Sequence, residues 1–355
     1  MNGNLLFRAG KKAMEKIRSK GLSPDMVKVI AGAAGGPKYL VLTQLDREIF
    51  STWLATRKQP LFLVGSSIGA WRFAAIAQRD PLKALETFEA NYIHQHYRTQ
   101  PSAEDITRES IRILSTFLTD KGAQEILSHP FLRLSILAVK ARWPLSSDNK
   151  MLLIPGIIMS ALANMLNRKL LKIFFRRVLF YDSREPPPFL HMSDFPIHRI
   201  PLTVHNLKQA VIASGSIPLV MKGVHNIPGA PPGMYRDGGV IDYHVDIPFF
   251  KDNDDGIVLY PHYSGRITPG WFDKKITWRS PSYMDDVLLV CPSDEFIGRL
   301  PYSKIPERND FYLFKGRDSD RIAYWKKVID ESRRLADEFA DIVYTGKIGD
   351  VVRQW

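Results

Sequence analysis

Two serines between glycines form the stretch whose residue types and spacing could support chemistry. Residues 65–69 read Gly-Ser-Ser-Ile-Gly and match the pattern G-x-S-x-G with Ser67 at its centre. In this pattern the serine stands at a sharp turn between a strand and a helix, where its hydroxyl is free to attack a carbonyl carbon. Gly65 and Gly69 leave room where a Cβ atom would collide with neighbouring backbone. The spacing therefore predicts Ser67, rather than Ser66, as a nucleophile.

The residues on either side of the turn have the composition that this geometry requires. Residues 61–64 are a short apolar run typical of a buried strand, and residues 70–77 are a helix-type stretch rich in small side chains. The amide of Ile68, at the start of that helix, would point to the place where an oxyanion forms. Because the bare pattern is common, a plain turn that contains two serines is an equal alternative on this evidence alone.

Another glycine-rich loop, residues 32–38, comes earlier in the chain. Residues 27–31 are the first expected core strand, the loop 32–38 reads Gly-Ala-Ala-Gly-Gly-Pro-Lys, and a helix is expected over 39–50. A loop of small residues in this position brings backbone amides close to an anion, either a phosphate or an oxyanion. The dinucleotide pattern and the P-loop pattern both fail here, since Pro37 stands where the P-loop needs a glycine. A plain tight turn is the alternative.

Strands and helices therefore alternate through the first 80 residues. This order predicts a parallel sheet covered by helices on both faces, with the two glycine loops side by side at its carboxyl edge. We expect an α/β fold with a central, mostly parallel sheet. The expected main domain is 25–260, including a mostly helical insertion at about 90–200, and residues 261–355 would be a C-terminal extension packed on the same domain.

The composition suggests a globular protein with an anionic partner. Among 355 residues, 45% are hydrophobic and 24% charged, and the formal net charge is +12. This excess of positive charge favours binding to a phospholipid surface or to a nucleic acid, and the alternative is that it only keeps the protein soluble. The absence of nucleic-acid-binding motifs weighs against a nucleic acid. Cys291 is the one cysteine, and the N-terminal apolar run is too short for a signal peptide, so we expect a cytoplasmic protein.

Basic residues recur every four positions at Arg168, Lys172 and Arg176, with Lys169 beside them. We expect a basic amphipathic helix here that contacts the inner face of an anionic membrane peripherally, and the alternative is a helix packed on the core with a solvated basic face. The apolar stretch 151–163 is too short to span a bilayer. The acidic residues 252–255 lack the alternation and the closing glutamate of a calcium loop, so a solvated turn is expected there.

Two further motifs complete an ordered set. Residues 237–239 read Asp-Gly-Gly, and residues 213–218 read Ala-Ser-Gly-Ser-Ile-Pro. With the two glycine loops they resemble the patatin-like phospholipase family, which carries G-x-S-x-G, D-G-G/A, an A-S-x-A-x-P segment and an oxyanion motif G-G-G-x-R/K, here residues 34–38. Ala34 replaces the first oxyanion glycine, and Lys38 stands in place of the arginine.

The resemblance implies a serine acyl hydrolase that cleaves ester bonds of phospholipids or related lipids through an acyl-enzyme, without metal or cofactor. It implies a Ser67–Asp237 dyad in which the aspartate takes the serine's proton. Burial in an apolar pocket would raise the pKa of Asp237 and make it a better base. The other implied residues are the oxyanion-hole amides of Gly35, Gly36 and Ile68 and the motif glycines Gly65, Gly69, Gly238 and Gly239.

Two other functions compete with this interpretation. An α/β-hydrolase would use a serine, an acid and a histidine, and His244 and His262 follow Asp237 in the chain, although no H-G-G-G motif precedes the serine. A non-catalytic lipid-binding or scaffold protein of the same fold would explain the alanines at 33 and 34 and the basic segment.

Overall fold

The computed structural model of the chain describes residues 3–97, 100–251 and 254–355. The turn expected at 252–255 therefore lies partly outside the described residues. Eleven strands are present in the described part, and all belong to one sheet. They are β1 (Leu5–Ala9), β2 (Val27–Gly32), β3 (Leu61–Ser66), β4 (Leu132–Ala141), β5 (Phe175–Tyr181), β6 (Ile197–Pro201), β7 (Val224–His225), β8 (Met234–Asp237), β9 (Ile257–Pro261), β10 (Val287–Pro292) and β11 (Arg353–Gln354).

From edge to edge the sheet runs β11, β1, β10, β9, β2, β3, β4, β5 and β6, while β8 pairs with β4 and β7. The central pairs β10–β9, β9–β2, β2–β3 and β3–β4 are all parallel. Strands β2, β3, β9 and β10 are almost entirely buried, because helices cover both faces of a parallel sheet. The expected α/β fold with a mostly parallel central sheet is confirmed.

Helices connect and cover these strands. They are α1 (Lys11–Lys20), α2 (Thr43–Glu48), α3 (Ile68–Ile76), α4 (Pro81–Ile93), α5 (Ala103–Phe117), α6 (Asp120–Leu127), α7 (Lys150–Leu166), α8 (Leu207–Gly215), α9 (Asp294–Arg299), α10 (Asp310–Leu313), α11 (Asp318–Glu331), α12 (Arg333–Tyr344) and α13 (Ile348–Val351). No helix among the described residues is long and apolar enough to cross a membrane.

The segment 90–200 differs from the mostly helical insertion that was expected. It contains β4, β5 and β6, and β4 lies in the middle of the sheet beside β3. Every residue of β4 except Lys140 is buried. Residues 132–136 alternate apolar and polar side chains, but residues 136–139 are a continuous apolar run, which does not distinguish a buried strand from a buried helix.

The basic helix expected at 168–177 is also corrected. Arg168–Ile173 forms a short 3-10 turn, and β5 begins at Phe175. Arg176 and Arg177 therefore lie on a strand, and Arg177 is wholly buried. The pairing of β5 with β4 overrides the local spacing of charges, as tertiary contacts often do.

The boundary expected near residue 260 does not divide the sheet. Strand β10, from the segment expected to be an extension, lies between β9 and β1, and β1 itself precedes residue 25. Residues from both ends of the chain therefore complete the same sheet that carries the two glycine loops.

Candidate active site

The turn at Ser67 has the strained geometry of a nucleophile elbow. Ser67 has φ 53° and ψ −125° and precedes the first residue of α3. A Cβ on Gly65 would lie 2.5 Å from the Ala70 nitrogen, and one on Gly69 would lie 2.2 Å from the Gly32 carbonyl oxygen. Both glycines are therefore required by close backbone contact, which ties the elbow to the end of β2.

Strand β4 brings the elbow and the Asp-Gly-Gly motif together. One edge of β4 pairs with β3 as far as Ser66 opposite Leu137. The same edge continues with β8, where Asp237 stands opposite Ala138. Because Leu137 and Ala138 are consecutive, Ser67 and Asp237 meet at the point where one partner strand ends and the other begins.

The hydroxyl of Ser67 donates to Asp237 Oδ2 across 2.6 Å. The other carboxylate oxygen, Oδ1, accepts from the Gly239 amide at 2.6 Å. Ser67 is 6% exposed and Asp237 4%. Burial raises the pKa of Asp237 to about 6, although the hydrogen bonds from Ser67 and Gly239 oppose the shift. A carboxylate with this pKa can accept a proton from the serine near neutral pH.

The elbow is supported from the segment 213–218. The amide of Ser67 donates to Ser214 Oγ at 2.8 Å, and the Ser214 hydroxyl donates to the Leu137 carbonyl at 2.6 Å. Ser214 therefore holds the backbone of the elbow against β4 and leaves the Ser67 hydroxyl for Asp237.

The glycine loop 32–38 lies beside the elbow. Gly35 and Gly36 have φ values of 148° and 59°, which side chains rarely permit. Their amides and that of Ile68 donate no hydrogen bond to any described residue, and all three residues line cavities that Ser67 also lines. The three N–H groups could therefore donate to an oxyanion formed at Ser67.

The two histidines are bonded elsewhere. The Thr268 amide donates to His244 Nδ1 at 2.9 Å, and His244 Nε2 lies 2.8 Å from the Tyr263 hydroxyl. That hydroxyl itself donates to Ala34 O, so His244 Nε2 carries the proton. His262 Nδ1 accepts from the Ser264 amide at 2.9 Å, and burial lowers its pKa to about 3.

Neither histidine bonds to Ser67 or Asp237, so these residues do not form a serine–histidine–acid triad here. Among the described residues, no group of three or more His, Cys, Asp or Glu side chains could hold a metal ion. The titratable partner of Ser67 in the structure is thus the carboxylate alone.

Two cavities open on Ser67. The apolar cavity, of about 240 Å³, is lined mainly by the apolar side chains Ile68, Trp71, Ile113, Ile217, Val220 and Phe311. The cationic cavity, of about 410 Å³, is lined by residues that include Gly35, Lys38, Asp237, Tyr263, Lys274 and Arg308.

Sequence reasoning missed three residues of these walls: Tyr263, Lys274 and Arg308. They lie in the segment that was expected to be an extension. No local motif marks them, and the only sequence signal was the basic composition.

No family model and no curated protein matches the chain. VipD from Legionella pneumophila is similar in structure, with 9% identity, a TM-score of 0.36, and coverage of 88% of this chain and 67% of that chain. Human GIVD cytosolic phospholipase A2 is similar with 9% identity, a TM-score of 0.35, and coverage of 95% of this chain and 63% of that chain. Both similarities are distant, so the chemistry of the site has to come from its own residues.

Proposed function

We propose that the protein is a serine hydrolase that cleaves carboxylic esters of phospholipids or related lipids through a Ser67–Asp237 dyad. The observation that carries this proposal is the 2.6 Å hydrogen bond from Ser67 Oγ to Asp237 Oδ2 at a strained strand-to-helix turn. The sequence resemblance to patatin-like phospholipases implies the same two residues.

The chemistry needs four proton transfers through Asp237, two in forming the acyl-enzyme and two in hydrolysing it. Ser67 Oγ attacks the ester carbonyl carbon while Asp237 takes its proton, and the amides of Gly35, Gly36 and Ile68 stabilise the negative oxygen. The ester C–O bond breaks, and the alcohol leaves with the proton from Asp237. Water then attacks the acyl-enzyme, giving one proton to Asp237, which returns it to Ser67 as the carboxylic acid departs.

The apolar cavity supports a lipid as the substrate. Its walls include Trp71, Ile113 and Phe311, and it opens directly on Ser67 and Ile68. An acyl chain placed there would be removed from water, which is favourable by about 0.8 kcal/mol for each buried methylene. Small polar esters would gain nothing from these walls.

A fluorophosphonate probe tests the proposal because it reacts covalently with activated serines. We expect it to label the wild-type protein, and both labelling and ester hydrolysis should be lost in Ser67→Ala and Asp237→Asn. Ser66→Ala is the matched control, because the Ser66 hydroxyl is buried without a hydrogen-bond partner among the described residues. An unlabelled wild-type protein that still binds lipid vesicles would instead support the non-catalytic alternative.

A further inference from the structure

Three cationic side chains converge on the cationic cavity from separate parts of the chain. Lys38 is the last residue of the glycine loop 32–38, Lys274 follows the 3-10 turn Trp271–Asp273, and Arg308 precedes α10. No described carboxylate lies within 4.0 Å of their cationic nitrogens. A Cβ built on Gly36 would lie 3.6 Å from Arg308 Nη2, so the guanidinium is next to the oxyanion loop.

Two of these cations lie over aromatic rings, whereas the usual partner of a partly buried cation is a carboxylate. Lys38 Nζ lies 5.1 Å from the centre of the Tyr263 ring, and Lys274 Nζ lies 4.2 Å from that of Tyr243. Partial burial, together with repulsion from Lys38 and Arg308, lowers the pKa of Lys274 to about 8. Because the three cationic side chains repel one another, an anion bound among them would stabilise the cluster.

We propose that the cationic cavity binds the phosphate of the substrate's alcohol portion, and that the enzyme prefers esters that carry a phosphomonoester close to the scissile bond. This inference rests on the proposed function. Counting Arg266 as well, four basic residues line this cavity against two acidic ones, Asp237 and Glu307, which leaves an excess of two positive charges. A doubly charged phosphate balances that excess, whereas a zwitterionic head group would add another cation to the cavity.

Short-chain substrates separate this preference from binding to lipid surfaces. Dihexanoyl phosphatidic acid, dihexanoyl phosphatidylcholine and dihexanoylglycerol should be compared as monomers by kcat/KM. We expect a preference of about tenfold or more for the phosphatidic acid, since charge-assisted hydrogen bonds to a phosphate are stronger than those to a neutral group. Lys274→Met should lower that ratio about tenfold. Lys275→Met is the control, because this exposed neighbour does not line either cavity and should leave the ratio unchanged.

Inorganic phosphate provides a direct probe of the cluster. It should inhibit dihexanoylglycerol hydrolysis competitively, and more weakly in Lys274→Met than in Lys275→Met. Equal kcat/KM for the three esters would overturn the subsite and leave the hydrolase proposal intact, whereas no hydrolysis of any ester would overturn the hydrolase itself. Inhibition by phosphate without a preference for phosphatidic acid would mean that a free anion, and not a head group, occupies the cavity.

A separate observation concerns α7, whose apolar side chains point outward. Ile158 is 54% exposed and Leu162 57%, whereas the buried side of the helix carries Leu153, Gly156, Ser160 and Asn164, of which only Leu153 has a large apolar side chain. A helix of a globular protein normally turns its apolar face to the core. The outer face of α7 is formed by Ile154, Ile158, Met159, Leu162 and Met165.

Polar contacts fix α7 in this orientation. Asn164 Nδ2 donates to Asp273 Oδ1 at 2.7 Å, and Arg279 donates to the Asn164 carbonyl at 2.9 Å. A Cβ on Gly156 would lie 2.9 Å from Leu145, so the helix lies close to its support. Turning the apolar face inward would break these hydrogen bonds.

Basic residues lie at both ends of α7. Lys150 begins α7, while Lys169 and Lys172 are exposed in the 3-10 turn that follows it. Trp143, before α7, is 76% exposed. We infer that the outer face of α7 docks on the surface of an anionic phospholipid bilayer, with apolar side chains inserted between head groups and lysines on the phosphates.

This surface replaces the basic helix expected from the sequence. Arg168 donates to the Ile241 carbonyl, and Arg176 lies 3.4 Å from His198, so both are engaged within the protein. Arg168 also links the C-terminal end of α7 to the segment that follows the Asp-Gly-Gly motif, so the docked helix would lie near the active site.

Vesicle cosedimentation tests the docking face. Binding should be stronger to vesicles of phosphatidylcholine with phosphatidylserine than to phosphatidylcholine alone. Ile158→Ser combined with Leu162→Ser should weaken binding about tenfold or more, because both changes remove apolar surface that docking takes out of water. Ile111→Ser, on α5, is the control, because Ile111 is 48% exposed but outside the face. Thermal unfolding checks that the variants fold.

Two results would overturn the assignment. One is vesicle binding that the double serine variant leaves unchanged. The other is a dimer in sedimentation velocity that the same variant dissociates, because a second copy of the chain would then cover the face.

Discussion

The Tyr263 hydroxyl donates to the Ala34 carbonyl across 2.6 Å and thereby ties the glycine loop to the segment after β9. His244 completes the connection, since its Nε2–H donates to Tyr263 while its Nδ1 accepts from Thr268. The Ala34 amide donates in turn to the Tyr243 carbonyl at 2.8 Å. Both polar groups of Ala34 are thus fixed, and the orientation of the next two amides follows from them.

Tyr263→Phe should therefore lower kcat more than it raises KM. The loop would lose the bond that orients the Gly35 and Gly36 amides toward a developing oxyanion, and we expect a loss of about tenfold or more in kcat. Steady-state kinetics with a short neutral ester measures the effect. Tyr39→Phe is the control, because the buried Tyr39 hydroxyl has no hydrogen-bond partner among the described residues. Equal kcat in the two variants would contradict a positioning role for Tyr263.

The pH dependence of activity should reveal Asp237. Because the carboxylate must be ionised to take a proton, kcat/KM for a neutral ester should rise as pH increases and level off above the pKa of about 6. Below that pKa the slope should approach tenfold per pH unit. The rate of fluorophosphonate labelling should follow the same curve. A flat profile between pH 5 and pH 8 would exclude Asp237 as the base.

Ionisation of the Asp237 carboxylate should lower the stability of the folded protein. Its pKa is raised from 3.8 to about 6 in the folded protein, so the folded state holds the proton more tightly than the unfolded state does. Its contribution to stability is therefore present below pH 4 and is lost as pH rises through 6.

Asp237→Asn should thus raise the free energy of unfolding at pH 8, by at most about 3 kcal/mol, and the gain should vanish near pH 4. Denaturant unfolding at the two pH values measures the difference. Asp337→Asn is the control, since Asp337 is exposed on α12 and should change the stability by less than about 0.5 kcal/mol. A variant less stable than the wild type at pH 8 would count against a strained, buried carboxylate.

The local parts of the site could be predicted from the sequence, because local rules govern them. Close backbone approach requires Gly65 and Gly69, and these glycines mark the turn without any knowledge of the distant chain. The same holds for Gly35 and Gly36, where the backbone adopts positive φ. Such positions are readable because few residue types satisfy them.

The long-range parts could not be predicted, because they depend on pairing between distant strands. Strand β4 determines the meeting of Ser67 and Asp237, yet its sequence does not show which strands pair with it. Lys274 and Arg308 reach the cationic cavity only because β10 adds the C-terminal segment to the sheet. No spacing of residues in the sequence encodes that convergence.

The buried side chain of Arg177 connects the sheet to the loop that follows Asp237. It lies on β5 with its side chain fully buried and donates to Asp242 at 2.7 and 2.8 Å and to Asp194 at 2.7 and 3.1 Å. Arg177→Met would leave the wholly buried Asp242 carboxylate without its cation. We expect a loss of about 3–5 kcal/mol in the free energy of unfolding, because removing the arginine leaves the buried carboxylate charge unpaired.

Arg176→Met is the matched control for this prediction. Arg176 is the adjacent residue, is partly exposed, and within the described part of the chain has only His198 as a side-chain partner. Its loss should stay below about 1 kcal/mol. Denaturant unfolding at pH 7 compares the two variants. Replacing Asp242 as well, in Arg177→Met with Asp242→Asn, should recover part of the lost stability, because the stranded charge is then removed. Equal losses for Arg176→Met and Arg177→Met, or no recovery in the double variant, would show that the buried ion pair does not hold this loop to the sheet.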